Sequence, residues 1–109
     1  MAELPAETIS EIVMGVGKIP IVPYARPCTE ALSNSILPYV PDNKVMILAR
    51  HGILSWGQDI MEAANGVERV ENCAFILSQA QMLGGITNLP DEEIKALHEI
   101  RQKRGVGNL

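Results

Sequence analysis

The run Lys44-Val45-Met46-Ile47-Leu48-Ala49-Arg50-His51-Gly52-Ile53-Leu54-Ser55-Trp56-Gly57 constrains this chain more than any other segment. Its apolar stretch from Val45 to Ala49 is unbroken by polar positions, which predicts a buried strand over Lys44 to Ala49. His51-Gly52 then turns the chain, and Ile53 to Trp56 forms a second short strand stopped by Gly57. A strand end is a rigid place for an imidazole, so His51 is the natural starting point for any chemistry. The only other histidine, His98, lies in a polar helical segment beside Glu99 and reads as solvent-facing.

Around this hairpin the pattern is helical. Pro5 to Val16 predicts a short helix with Ile9, Ile12, Val13 and Val16 on its apolar stripe. Ile19 to Tyr24 contains Pro20 and Pro23, which forbid a helix and suit an edge strand. Thr29 is placed to cap a helix from Glu30 to about Leu37. A long helix runs from about Asp59 to Leu83, with Ile60, Ala63, Ala64, Val67, Val70, Ala74 and Leu77 at spacings of three and four. Gly66 within it costs about 1 kcal/mol relative to alanine, so a close-packed neighbour is expected there. A last helix begins at Pro90, with Asp91, Glu92 and Glu93 in its first turn and Arg101, Lys103 and Arg104 in its last, both matched to the helix dipole. Gly105 is the expected stop, and Val106 to Leu109 reads as a loose tail.

At 109 residues the chain is at most one domain. Its fold class is α/β (α+β): helices layered on a small mixed or antiparallel sheet. Two or three strands make a poor sheet alone, so the unit reads as part of a larger one. Apolar residues make up 47% and charged residues 20%, a balance that leaves hydrophobic surface for other protein and favours a homo-oligomer. The net charge of −4 argues against a nucleic-acid partner. No stretch reaches membrane-spanning length, and no signal peptide is visible, so a cytoplasmic setting is expected. Cys28 and Cys73 make no disulfide framework. Cys73 reads as a small buried residue, and Met46, Met61 and Met82 as core filler. Glu68 and Glu71 read as a solvated face together with Arg69.

Three segments together resemble a known family. Pro20-Ile21-Val22-Pro23-Tyr24-Ala25-Arg26-Pro27-Cys28-Thr29-Glu30 is similar to the proline-tyrosine-alanine segment of class II aldolases. Arg50 to Gly57 is similar to their histidine-glycine segment with its downstream Trp-Gly. The helix holding Glu62-Ala63 and Val67-Glu68-Arg69-Val70-Glu71 resembles the one that follows. Order and spacing agree from about Leu4 to Gly105. The resemblance is to the class II aldolase and adducin-head family, nearest the L-fuculose-phosphate type, and to its C-terminal half only. The glycine- and serine-containing phosphate region, the acidic catalytic residue and the His-x-His pair that members carry upstream are not found here. Residues 1–109 are thus expected to be a fragment, a truncated product or one half of a split enzyme.

The resemblance implies the three-layer class II aldolase fold and a zinc-dependent lyase cleaving a ketose 1-phosphate to dihydroxyacetone phosphate and an aldehyde. It implies that His51 is the third histidine ligand of the zinc, which polarises substrate oxygens so that an enediolate is stabilised. It implies that Tyr24 is a catalytic proton donor to the aldehyde oxygen, reaching a neighbouring subunit in a tetramer. One histidine is too few for tight zinc binding by the isolated chain. Arg26 and Arg50 lie nearer this region than other cations, and Arg50 could meet a substrate anion or a partner subunit. Cys28 replaces a glycine often found after this proline, which leaves the loop's conformation open. The alternatives are a noncatalytic, adducin-head-like interaction domain and a related sugar-phosphate epimerase, dehydratase or decarboxylase.

Overall fold

The computed structural model describes residues 3–104, so the expected stop at Gly105 and the tail from Val106 lie outside the described residues. Four strands form one sheet in the order β1-β2-β3-β4: β1 (Glu3–Leu4), β2 (Ile19–Val22), β3 (Val45–Leu48) and β4 (Gly52–Ser55). β1 pairs antiparallel with β2, β2 parallel with β3, and β3 antiparallel with β4, which makes the sheet mixed. Helices α1 (Ser10–Gly15), α2 (Glu30–Ile36), α3 (Ile60–Met82) and α4 (Asp91–Arg104) cover it, with a 3₁₀ turn at Leu37–Tyr39.

Strand alternation divides the interior into two layers. On one face Ile19, Val45, Ile47 and Ile53 meet Ile12 of α1, Val16 just after it, and Val70, Cys73 and Leu77 of α3. On the other, Val22, Met46, Leu48 and Leu54 meet Leu32 and Ile36 of α2 with Tyr39 and Val40. Residues such as Ile19 and Met46 are fully enclosed, each contributing about 1.5–3 kcal/mol of burial. The arrangement is helix, sheet, helix: three layers, as the sequence implied.

The differences from expectation have local causes. The short strand at Glu3–Leu4 was not expected, and α1 starts at Ser10 rather than Pro5, because residues 5–9 are spent on a turn. There Thr8 Oγ1 donates to the Pro5 carbonyl and the Ile9 amide to the Ala6 carbonyl. β2 is interior, not an edge strand. Its two bridges to β1 fall at Ile19 and Pro20, whereas its register with β3 begins at Ile21, so Pro20 lies outside the parallel pairing. Thr29 does precede α2 with extended backbone, but its hydroxyl turns back to the Arg26 carbonyl at 2.6 Å instead of capping the helix.

The α3 stripe is displaced in part, with Val70 and Leu77 buried as expected. The buried positions are Gly66, Val70, Cys73 and Leu77. Ile60, Ala64, Val67 and Ala74 lie on another line of the helix and face outward, as do Met61 and Met82, so Met46 alone of the three methionines is core. Gly66 meets the expectation of close packing: an added Cβ would run into Ser55 Oγ and Val45 Cγ2. Arg69 is half-buried and donates to the Gly15 carbonyl at 3.4 Å, so it is not part of a solvated face. His98 is half-buried as well, its Nε2 4.0 Å from Glu7 Oε1.

Candidate functional site

Tyr24 and His51 leave the same edge of the sheet. β2 and β3 run parallel with Val22 beside Leu48. Tyr24 follows Val22 by two residues, and His51 follows Leu48 by three. The Ala49 amide donates to the Val22 carbonyl at 3.0 Å, which carries the parallel pairing one step beyond the strands. Carboxyl ends of adjacent parallel strands are where open α/β sheets bind ligands, because the loops diverge there and leave a crevice.

The turn that presents His51 is tight. The His51 amide donates to the Leu48 carbonyl at 3.0 Å, and Arg50 between them takes a left-handed backbone, φ 59°. That conformation costs a non-glycine residue about 1–2 kcal/mol. It lets the chain reverse within three residues and start β4 at Gly52. His51 is exposed, and Tyr24 retains 58% of its surface. Cys28, the expected departure, holds φ 64° in the loop after Tyr24. The loop therefore keeps a backbone shape that glycine adopts freely, with cysteine bearing the strain. Cys28 is exposed and Cys73 buried, and both are free thiols. Burial pushes the Cys73 thiol above its ordinary range.

Among the described residues no group of three or more His, Cys, Asp or Glu side chains could hold a metal ion. At this edge the chain offers one imidazole and one phenol on rigid supports. No helix of the described residues is long and apolar enough to cross a membrane.

Sequence reading missed the opposite end of β3 and β4. There Lys44 Nζ is 2.7 Å from Glu62 Oε1 and 5.1 Å from the centre of the Trp56 ring. Trp56 Nε1 donates to the Asn43 carbonyl at 3.0 Å. The Glu62 amide donates to Asp59 at 2.8 Å, which caps α3. The Lys44 hydrogen bond, helped by the Gln58 amide, holds the Glu62 carboxyl below its ordinary range. Asp59 followed three residues later by Glu62 is the available signal, an acidic pair at a helix start.

With the geometry in place, comparison with known proteins gives the class. The Class II Aldolase and Adducin N-terminal domain matches residues 1–78, and the chain belongs to that family. An Escherichia coli K12 3-oxo-tetronate 4-phosphate decarboxylase is 35% identical over 66 residues, 61% of this chain and 31% of that protein. A Bacillus thuringiensis 5-deoxy-D-ribulose 1-phosphate aldolase is 29% identical over 96 residues, 87% of this chain and 44% of that one. The solved structure of an L-fuculose 1-phosphate aldolase superposes with a TM-score of 0.77 at 33% identity, covering 89% of this chain and 45% of its own. The chain spans less than half the length of each of these relatives.

Proposed function

We propose that this chain is the C-terminal portion of a lyase that breaks a carbon–carbon bond in a phosphorylated ketose, releasing dihydroxyacetone phosphate and an aldehyde. The observation that carries the reading is the emergence of Tyr24 and His51 at the carboxyl ends of two adjacent parallel strands. Membership of the aldolase family supports it, as do the sugar-phosphate aldolases among its relatives.

In this reading Tyr24 is the acid–base group at the aldehyde oxygen: in cleavage its phenolate takes the proton from the substrate hydroxyl that becomes the aldehyde, and in condensation the phenol returns that proton. Its exposure suits a group that approaches substrate bound partly by another chain, in keeping with a homo-oligomer or a complementary N-terminal half. His51 supplies one imidazole to a zinc site. The described residues do not themselves fit that ion, which in proteins takes three or four ligands. The remaining donors come from outside the described residues.

A second reading is favoured by the decarboxylase among the relatives. Decarboxylation also breaks a carbon–carbon bond and leaves an enediolate, but the departing fragment is carbon dioxide, with no hydroxyl proton for Tyr24 to take.

The test is reconstitution. The purified chain alone should hold well under one zinc per chain. Co-expressed with the N-terminal half of an aldolase relative, it should gain zinc and cleave a ketose 1-phosphate. His51→Ala should then abolish metal retention, since a rigid strand-end ligand is lost. Carbon dioxide release in place of aldehyde would select the decarboxylase. A reconstituted complex with neither zinc nor turnover would leave the noncatalytic interaction domain as the reading.

A further inference from the structure

The ends of β3 and β4 remote from His51 border a cavity of about 250 Å³. Its walls come from the C-terminal end of α1, the first turns of α3, the end of β4 and Arg101 of α4. Its charged lining is Lys44, Arg69 and Arg101 against Asp59 and Glu62, an excess of one positive charge in a chain whose net charge is −4. Both carboxylates are engaged. Glu62 holds Lys44 and the Gln58 amide, and Asp59 accepts from the Glu62 amide.

Arg101 is the group left without a counter-charge. Among the described residues no carboxylate lies within ion-pair distance of it. Its Nη2 donates to the Val16 carbonyl at 3.0 Å, a neutral acceptor. Its Nε is buried and has no hydrogen-bond partner among the described residues, and neither does Ser55 Oγ. Burial lowers the guanidinium's pKa, as expected for a cation short of compensating charge. Buried polar atoms in native proteins are nearly always hydrogen-bonded, so two such atoms on residues that line one polar cavity point to a third party. A guanidinium presents its N–H groups as a fork that matches the two oxygens of a carboxylate or phosphate.

We propose that this cavity binds a small organic oxyanion, a hydroxylated compound of three or four carbons bearing a phosphate or carboxylate. Arg101 anchors the anion, and Ser55 and Asn65 take up its hydroxyl groups. The volume falls below the about 300–1,000 Å³ of drug-sized pockets, which sets the small size of the ligand. The site stands at the end of β3 and β4 opposite His51, so it is independent of the lyase reading.

The experiment is calorimetric and NMR titration of the full chain with glycerol 3-phosphate, glycerate, inorganic phosphate and glycerol. At least one organic anion should bind, more tightly than inorganic phosphate, while glycerol should not. Whichever of glycerol 3-phosphate and glycerate binds more tightly identifies the anionic group. Amide shifts should centre on Ser55, Glu62 and Asn65. Arg101→Gln should weaken binding about tenfold or more, and Arg101→Lys should recover part of the loss. Because Arg101 also holds Val16, a folding defect is checked with Ser55→Ala, which removes no side-chain hydrogen bond made among the described residues and should weaken binding by about threefold or more. No binding of either organic anion at millimolar concentration would overturn the proposal. So would binding no tighter than that of inorganic phosphate, binding unchanged in both Arg101→Gln and Ser55→Ala, or shifts centred on Tyr24 and His51.

Discussion

The two ends of the β3–β4 hairpin are built on opposite plans. At the Lys44 end, side chains close on one another: Lys44 with Glu62 and Trp56, Asp59 with the start of α3, Arg69 and Arg101 on the last carbonyls around α1. At the His51 end, the side chains point outward and the backbone bears the strain, at Arg50 and Cys28. One end is satisfied largely within the chain and holds the layers together. The other spends conformational energy to present an imidazole and a phenol, which is useful only if something outside the described residues meets them.

The sharpest way to break this contrast is at Tyr24. In the reconstituted lyase, Tyr24→Phe should retain zinc and lose turnover by about 10²–10⁴-fold, the range of a general acid–base group, while the isolated chain melts as before. Normal turnover would return Tyr24 to a packing role and favour a reaction without an aldehyde product.

Gly66 tests the other end. Gly66→Ala should destabilise the chain by about 1–3 kcal/mol in urea denaturation, although alanine is the better helix former, because its methyl group meets Ser55 and Val45. A stabilised variant would mean that α3 can lift from the sheet and that this end is looser than its bonds suggest.

The pH dependence should also separate the two ends. The folded-state pKa of Glu62 lies below its ordinary value of 4.5, so its contribution to stability is present above that value and lost as pH falls through the folded pKa. Glu62→Gln should lower the melting temperature at neutral pH and flatten the acid limb below about pH 4.5. An unchanged acid limb would show that the Lys44–Glu62 pair is only a surface contact.

The smallest expected effect is at Cys28. Cys28→Gly relieves the left-handed backbone but frees the unfolded chain, two terms of similar size, so stability should change by less than about 1 kcal/mol. A larger loss would mean that the cysteine side chain itself holds the loop.

Much of this was legible in the residues. The Lys44–Ala49 run gave β3 to within a residue at each end, because its unbroken apolar sequence fills both faces of the sheet. The α3 start and the three-layer plan also followed, the first from Asp59 and the helical spacing and the second through the family resemblance. Tyr24 and His51 were legible as candidates through their flanking motifs, but their meeting at one sheet edge was not. That depends on β2 lying parallel to β3 with Val22 beside Leu48, a pairing across more than twenty residues that no local pattern records. The buried line of α3, although it does hold the expected Val70 and Leu77, was in part misplaced for a related reason. Spacing finds apolar stripes, but Ile60, Ala64 and Val67 form one as regular as Gly66, Val70, Cys73 and Leu77. What chose between them was which line could lie on Ser55 and Val45, and only a helix with glycine at that contact can approach so closely. Arg69, Arg101 and His98 look like solvated charges in sequence. Tertiary structure alone turned them toward α1 and Glu7, because the carbonyls ending that helix need donors, and those donors come from helices folded back from far along the chain.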